Sequence, residues 1–203
     1  MENEIKLALS AGSYIKLLEI LPVEKTLKQC NNFFDTAGGY FQNSCFAFRL
    51  RSEDEQCFRA ALKKRLSLEQ GYFQAMEIES TIDEQTYRSA LDGLQTSFFK
   101  ILEILSSGKA NTLGHEIFRH NFHSEKFICR GFFLNLRSIC RLKDFQIEID
   151  CTDFGSGRTE YELECETDLK NIPLITGFLK KNNIDYSFSV KSKFERYCEY
   201  SRQ

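Results

Sequence analysis

The chain has 203 residues, 42% of them hydrophobic and 13% aromatic, with a formal net charge of −2 at pH 7. That length suits a single domain with a sizeable core, and the near-neutral charge excludes a global field for nucleic acid or an acidic membrane. No apolar run approaches a membrane span, and acidic residues stand where a signal peptide would have its basic start.

In chain order, residues 1–6 open a strand with Glu2, Glu4 and Lys6 on one face and Ile5, Leu7 and Leu9 on the other. Residues 10–13 make a break, 14–21 a short amphipathic helix, and 23–30 a second short helix. Residues 32–36 are aromatic and strand-like. Residues 45–52 alternate, with Arg49 and Arg51 opposite Phe48 and Leu50, and residues 53–55 make a hairpin turn. The strand near 57–66 puts Lys63 and Arg65 on one face, and 75–80 does the same for Glu77 and Glu79. The period then changes. Tyr87, Leu91, Leu94, Phe98, Ile101, Leu102 and Leu105 fall at helical spacing, behind a capping-box pair Thr81 and Glu84, so a helical insertion is expected over about 83–107. Gly93 divides it into two pieces at most.

A loop over 106–114 leads to strands near 116–122, 126–136, 145–151 and 159–166. Glu148 and Asp150 share a face of the third of these. Glu162 and Glu164 share a face of the last, where Glu160 and Glu166, at the strand ends, read as surface residues. Residues 168–183 form a helix, 185–190 a last strand and 192–200 a terminal helix. The eight cysteines include no Cys-x-x-Cys pair, which predicts reduced, mostly buried thiols and a cytoplasmic chain. His115, His120 and His123 fit no common metal spacing.

Several strands thus have one apolar and one charged face. An antiparallel sheet with one face in water produces this pattern. Two features favour closure instead: the charged faces hold few neutral polar residues, and the helices have apolar faces that need a sheet to cover. The expected fold is α+β, an eight-stranded antiparallel closed barrel with helices outside and charges inside. Such burial is tolerable when the charges pair with one another or with a ligand. Basic groups suit a polyanion, and clustered carboxylates suit a divalent metal. A phosphate chain bridged by Mg²⁺ or Mn²⁺ satisfies both.

Glu2-x-Glu4-x-Lys6, Phe33-Phe34-Asp35-Thr36, Ala47-Phe48-Arg49-Leu50-Arg51, Ala61-Leu62-Lys63, Glu77-x-Glu79, Arg130, Asp150, Tyr161-Glu162-Leu163-Glu164 and Lys191-Ser192-Lys193 occur in that order. The set resembles the CYTH superfamily, the triphosphate tunnel metalloenzymes, along essentially the whole chain. The resemblance implies one domain over residues 1–203 acting on a small-molecule triphosphate inside a tunnel. It implies Lys6, Arg49, Arg51, Lys63, Arg65, Arg130, Lys191 and Lys193 as phosphate contacts, with the two C-terminal lysines not separated. Glu2, Glu4, Asp150, Glu162 and Glu164 would hold Mg²⁺ or Mn²⁺. Glu4 and Glu162 are the candidates to handle the attacking water, with Lys6 as a further catalytic group. Glu77, Glu79 and Glu148 are weaker candidates. Arg137 rivals Arg130 but has the opposite strand parity unless a bulge intervenes. The implied activity is a metal-dependent triphosphatase. The alternatives are a class IV adenylate cyclase and a non-catalytic polyphosphate-binding module. No nucleic-acid or membrane partner is expected, and the chain is expected to be a monomer or homodimer.

Overall fold

A computed structural model describes residues 1–107, 113, 120 and 122–201. In chain order the elements are β1 (Glu2–Leu9), α1 (Ala11–Ile20), β2 (Val23–Thr36), α2 (Tyr40–Asn43), β3 (Phe46–Glu53), β4 (Cys57–Glu69) and β5 (Tyr72–Thr81). There follow α3 (Glu84–Leu91), α4 (Gln95–Ser106), β6 (Phe127–Leu142), β7 (Phe145–Asp153), β8 (Thr159–Glu166), α5 (Ile172–Lys181), β9 (Tyr186–Phe188) and α6 (Lys193–Tyr200).

The strand order is β5-β4-β3-β2-β6-β7-β8-β1-β9, and β5 also pairs with β1. The eight strands β1 to β8 therefore close into an antiparallel barrel, with β9 added on β1, as the charged-face grammar led one to expect. Closure depends on a close approach at Gly71: its carbonyl accepts from the Lys6 amide at 2.8 Å. Gly71 has φ 75°, and a Cβ there would meet the Lys6 carbonyl oxygen at 2.8 Å, so no other residue fits without a shift.

The chain clusters into two compact units, one of residues 1–29, 66–74 and 133–203, the other of residues 30–65 and 75–132. In the first, Ile5 and Leu7 of β1, Ile147 and Ile149 of β7 and Leu163 of β8 are buried with Leu17 of α1 and Ile175 and Leu179 of α5. Each such side chain contributes about 1.5–3 kcal/mol over its exposed state. In the second, Phe48 and Leu50 of β3 and Leu62 of β4 are buried with Tyr87, Phe98, Ile101 and Leu105 of α3 and α4. Its packing is aromatic: Phe98 stacks on Phe127 with centroids 4.7 Å apart and tilts against Phe34 at 5.0 Å. In both units the residues between these apolar positions carry the charges.

Several local expectations are corrected. Residues 23–30 are not a helix but the first half of the 14-residue strand β2. Leu27, Gln29 and Asn31 alternate into the interior, and pairing between β3 and β6 overrides local propensity. The cap before α3 is Asp83, whose side chain accepts from Thr86 N at 2.7 Å, while Thr81 still belongs to β5. The helical insertion divides at Gly93, as expected. Of the expected strand over 116–122, residues 116–119 and 121 lie outside the described residues, as does His115, and Phe122 starts a 3-10 turn. All eight cysteines are free, yet only Cys140 and Cys165 are buried, and Cys45 and Cys129 are exposed. No helix among the described residues is long and apolar enough to cross a membrane.

Candidate active site

Register builds the charged cluster of the first unit. Arg137 of β6 lies opposite Asp150 of β7, which lies opposite Glu162 of β8. One step along, Glu148 lies opposite Glu164, which lies opposite Lys6 of β1. Period-two alternation sends all of these to the face away from Ile147, Ile149 and Leu163. The C-terminal helix α6 adds Lys193 and Arg196.

The contacts are short. The Lys6 ammonium stands 3.0 Å from Glu4 and 2.6 Å from Glu164. Arg137 donates Nε to Asp150 Oδ1 at 2.9 Å and Nη2 to Asp150 Oδ2 at 2.7 Å, reaches Glu164 at 2.7 Å, and also pairs with Glu148. Lys193 touches Asp150, Glu162 and Glu164 at 2.9, 2.8 and 2.5 Å. Arg196 pairs with Glu162 at 3.0 Å and Glu160 at 3.1 Å. Asp150 is 0% exposed and Glu162 2%. A buried polar network supports Asp150: Asn135 donates to it at 2.9 Å and to Gln29 at 3.0 Å, and accepts from Thr152 at 2.7 Å.

Electrostatics follow from this pairing. Burial opposes the charge on Lys6, but Glu164, Glu4 and Glu162 outweigh it and raise its pKa. Burial pushes Asp150 up while Arg137 and Lys193 pull it down, the balance being about 2. Glu164 is likewise held well below the usual carboxylate range, by Lys193, Lys6 and Arg137 against burial. Glu148 goes the other way: burial lifts it despite Arg137.

The second unit has its own charged face on β3, β4 and β5. Arg49 reaches Glu77 at 3.3 Å and Glu79 at 3.2 Å. Arg51 donates to Asn31 at 2.8 Å and lies 3.6 Å from Glu53. Arg59 pairs with Glu79 at 2.7 Å, and Lys63 stands 3.9 Å from Glu77. Arg130 is exposed and donates to the Thr36 carbonyl at 3.0 Å. That loop is fixed by Asp35, which accepts from the Thr36, Phe41 and Gln42 amides.

The expected residues therefore separate. Glu4, Lys6, Glu148, Asp150, Glu162, Glu164, Arg137 and Lys193 gather in the first unit's cluster. Glu2 begins β1, half-buried. Arg49, Arg51, Lys63, Glu77 and Glu79 gather in the second, and Arg65 is an exposed residue further along β4. Lys191 leaves the cluster: it is 46% exposed and pairs with Glu199 at 2.6 Å. Arg137 joins because the parity of β6 changes at Gly131, where φ is 139°. Phe127 packs in the aromatic core, but Phe133, of the same parity, packs against Tyr197 of α6 and Phe154. Arg196, which in the sequence only follows the Lys191-Ser192-Lys193 segment of the resemblance, is given no role in the site by sequence reasoning, although its i,i+3 spacing from Lys193 puts both on one helix face. Sequence reasoning also missed Asn135 and Gln29. Glu160, read as a surface residue, instead binds Arg196 and accepts from Tyr200.

Six carboxylates (Glu4, Glu148, Asp150, Glu160, Glu162 and Glu164) thus meet four cations (Lys6, Arg137, Lys193 and Arg196). An excess of hard oxygen donors and negative charge fits Mg²⁺ or Mn²⁺. Among the described residues no three such side chains already stand in a metal-binding arrangement; the ammonium and guanidinium groups lie between them.

A family model for the CYTH domain matches residues 1–197. No curated protein matches the chain. Among solved structures, HpAC1 from Hippeastrum, a candidate adenylyl cyclase described as having a dominant triphosphatase activity, is similar at 32% identity and TM-score 0.83, over 98% of this chain and 96% of that one. A candidate adenylate cyclase from Bacillus halodurans is similar in fold at 19% identity and TM-score 0.66, over 97% and 98%. The PH1819 protein of Pyrococcus horikoshii is similar in fold at 14% identity and TM-score 0.63, over 97% and 99%. With its charged barrel strands in the order read from the sequence and the domain match spanning nearly its full length, the chain belongs to the CYTH family.

Proposed function

We propose that the chain is a metal-dependent triphosphatase that hydrolyses a terminal phosphoanhydride bond. The observation that supports this best is that each unit gathers its charges on one strand face. The first unit's face is rich in buried carboxylates, and on β3 to β5 of the second Arg49, Arg51, Arg59 and Lys63 stand with Glu53, Glu77 and Glu79. The similarity to HpAC1 points to the same reaction.

Glu2, Glu4, Asp150, Glu162 and Glu164 would hold Mg²⁺ or Mn²⁺, which when bound neutralises phosphate charge. Arg49 and Arg51 suit paired contacts to phosphate oxygens, and Lys6, Lys63 and Lys193 suit point contacts. Arg65 and Arg130 are the outer members of this set. Phosphoryl transfer has a loose transition state and asks mainly for positioning and charge compensation. Glu162 stays ionised at neutral pH, because Lys193 and Arg196 outweigh its burial. It is therefore suited to accept a hydrogen bond from the attacking water and orient it. Ser189 donates to Glu162 at 2.6 Å and fixes that carboxylate. Water oxygen then bonds to the terminal phosphorus as the bridging P–O bond breaks, and phosphate leaves the shortened chain. The eight free cysteines suit a reducing compartment, and we read the enzyme as cytoplasmic.

The test is to incubate the purified chain with tripolyphosphate, ATP or thiamine triphosphate, each with Mg²⁺ or Mn²⁺. Phosphate from at least one of them, lost in Glu4→Ala, is expected. Cyclic AMP as the dominant product from ATP makes the protein a cyclase, and no product from any of the three makes it a binding module.

A further inference from the structure

Helix α6 differs from the helices beside it. α1 and α5 dock through Leu17, Ile175 and Leu179, all fully buried, whereas none of the eight residues of α6 is buried. Its attachment is polar and aromatic. Arg196 pairs with Glu162 and Glu160, and Tyr200 packs on Phe154 with centroids 5.5 Å apart. A capping box from Ser192 and Glu195 fixes its first turn, so Lys193 enters the cluster from a defined position.

There the Lys193 ammonium bridges three carboxylates within 2.9 Å. A carboxylate offers about four acceptor positions, and Asp150 uses all of them. Oδ1 takes Asn135 and Arg137 Nε, and Oδ2 takes Arg137 Nη2 and Lys193. The donors from Asn135 and Arg137 stand on the paired strand β6. Lys193 alone stands on a helix with no buried residue, so it is the donor that a competing cation can remove.

We propose that Lys193 is the resident counter-ion of the carboxylate cluster, and that a divalent cation loads by displacing its ammonium. Metal binding and loosening of α6 are then one coupled equilibrium, and the coupling is reciprocal. This rests on reading Asp150, Glu162 and Glu164 as metal-holding groups. Arg196, tied to Glu162 and Glu160, follows Lys193 as the helix loosens, whereas Arg137 stays on β6.

The experiment measures Mn²⁺ binding to the full chain without substrate, from the electron paramagnetic resonance of the free ion. Lys193→Met keeps the apolar stem and removes the charge. It is expected to bind Mn²⁺ about ten- to hundredfold tighter than the wild type. Equal or weaker binding overturns the proposal, as does no Mn²⁺ binding by either protein. A second measurement needs no variant: hydrogen exchange of the α6 amides in the wild type is expected to speed up several-fold as Mn²⁺ saturates. Exchange that is unchanged or slower overturns the coupling. Phosphate release from tripolyphosphate by the wild type separates the two readings, since an active wild type together with unaltered Mn²⁺ affinity in Lys193→Met refutes the counter-ion and leaves the triphosphatase standing.

Discussion

The two compact units use the same strand grammar for opposite ends. In the first unit's cluster, carboxylates outnumber cations, Glu4, Lys6, Asp150, Glu162 and Glu164 are buried, and no ion pair is longer than 3.1 Å. On the strand face of the second, Arg49, Arg51, Arg59 and Lys63 stand with Glu53, Glu77 and Glu79. Those pairs reach 3.9 Å, and Arg49, Arg51 and Arg59 are 13 to 39% exposed. Even the apolar faces differ, aliphatic in the first unit and phenylalanine-rich in the second. Buried charge is stable only when paired, so the first unit's carboxylates hold Lys6, Arg137, Lys193 and Arg196 at short distances and keep an excess of negative charge. Partly exposed basic groups such as Arg49, Arg59 and Lys63 lose less on leaving an internal partner, which suits them to an incoming anion.

The largest expected effect comes from the shared edge of the closed sheet. Removing residues 1–6 takes away Glu2, Glu4 and Lys6 together with the β1 pairing at Gly71. Phosphate release should fall by more than about 10²-fold, while circular dichroism keeps most of its strand signal.

Next is the contrast between two arginines. Arg137→Met leaves Asp150, Glu148 and Glu164 short of a partner and should cost about 3–5 kcal/mol in urea unfolding. Arg49→Met, at a partly exposed pair, should cost about 1 kcal/mol or less. Equal costs would erase the distinction between the units.

Acid should also weaken the first unit. The pKa of Asp150 is lowered to about 2, and Glu164 is lowered too, so their stabilisation is complete above the unfolded value of about 4 and is lost as pH falls towards 2. Asp150 alone should account for about 2 kcal/mol. Urea midpoints from pH 6 to pH 2 check this. The raised pKa of Lys6 places its own loss at the alkaline end, beginning above about 10.4.

The barrel was legible because alternation is a local signal repeated in many strands. Thr159–Glu166 was found with its bounds, and Glu4, Lys6, Asp150, Glu162 and Glu164 share a face as their parity required. Tertiary effects hid the rest. β2 lacks an apolar alternation of its own, since Gln29 and Asn31 are among its inward residues. Arg137 needed the parity change at Gly131. Lys193 could not be told from Lys191 until Ser192, between them, capped α6. Arg196 and Asn135 show their role only through the partners the fold brings to them.

The most direct test of the division between the units is a steady-state comparison of tripolyphosphate hydrolysis at saturating Mn²⁺. Glu162→Gln should lower kcat by about 10²-fold, and Arg49→Met should raise KM while keeping kcat within a few-fold of wild type. A Glu162→Gln enzyme with wild-type kcat would contradict the account.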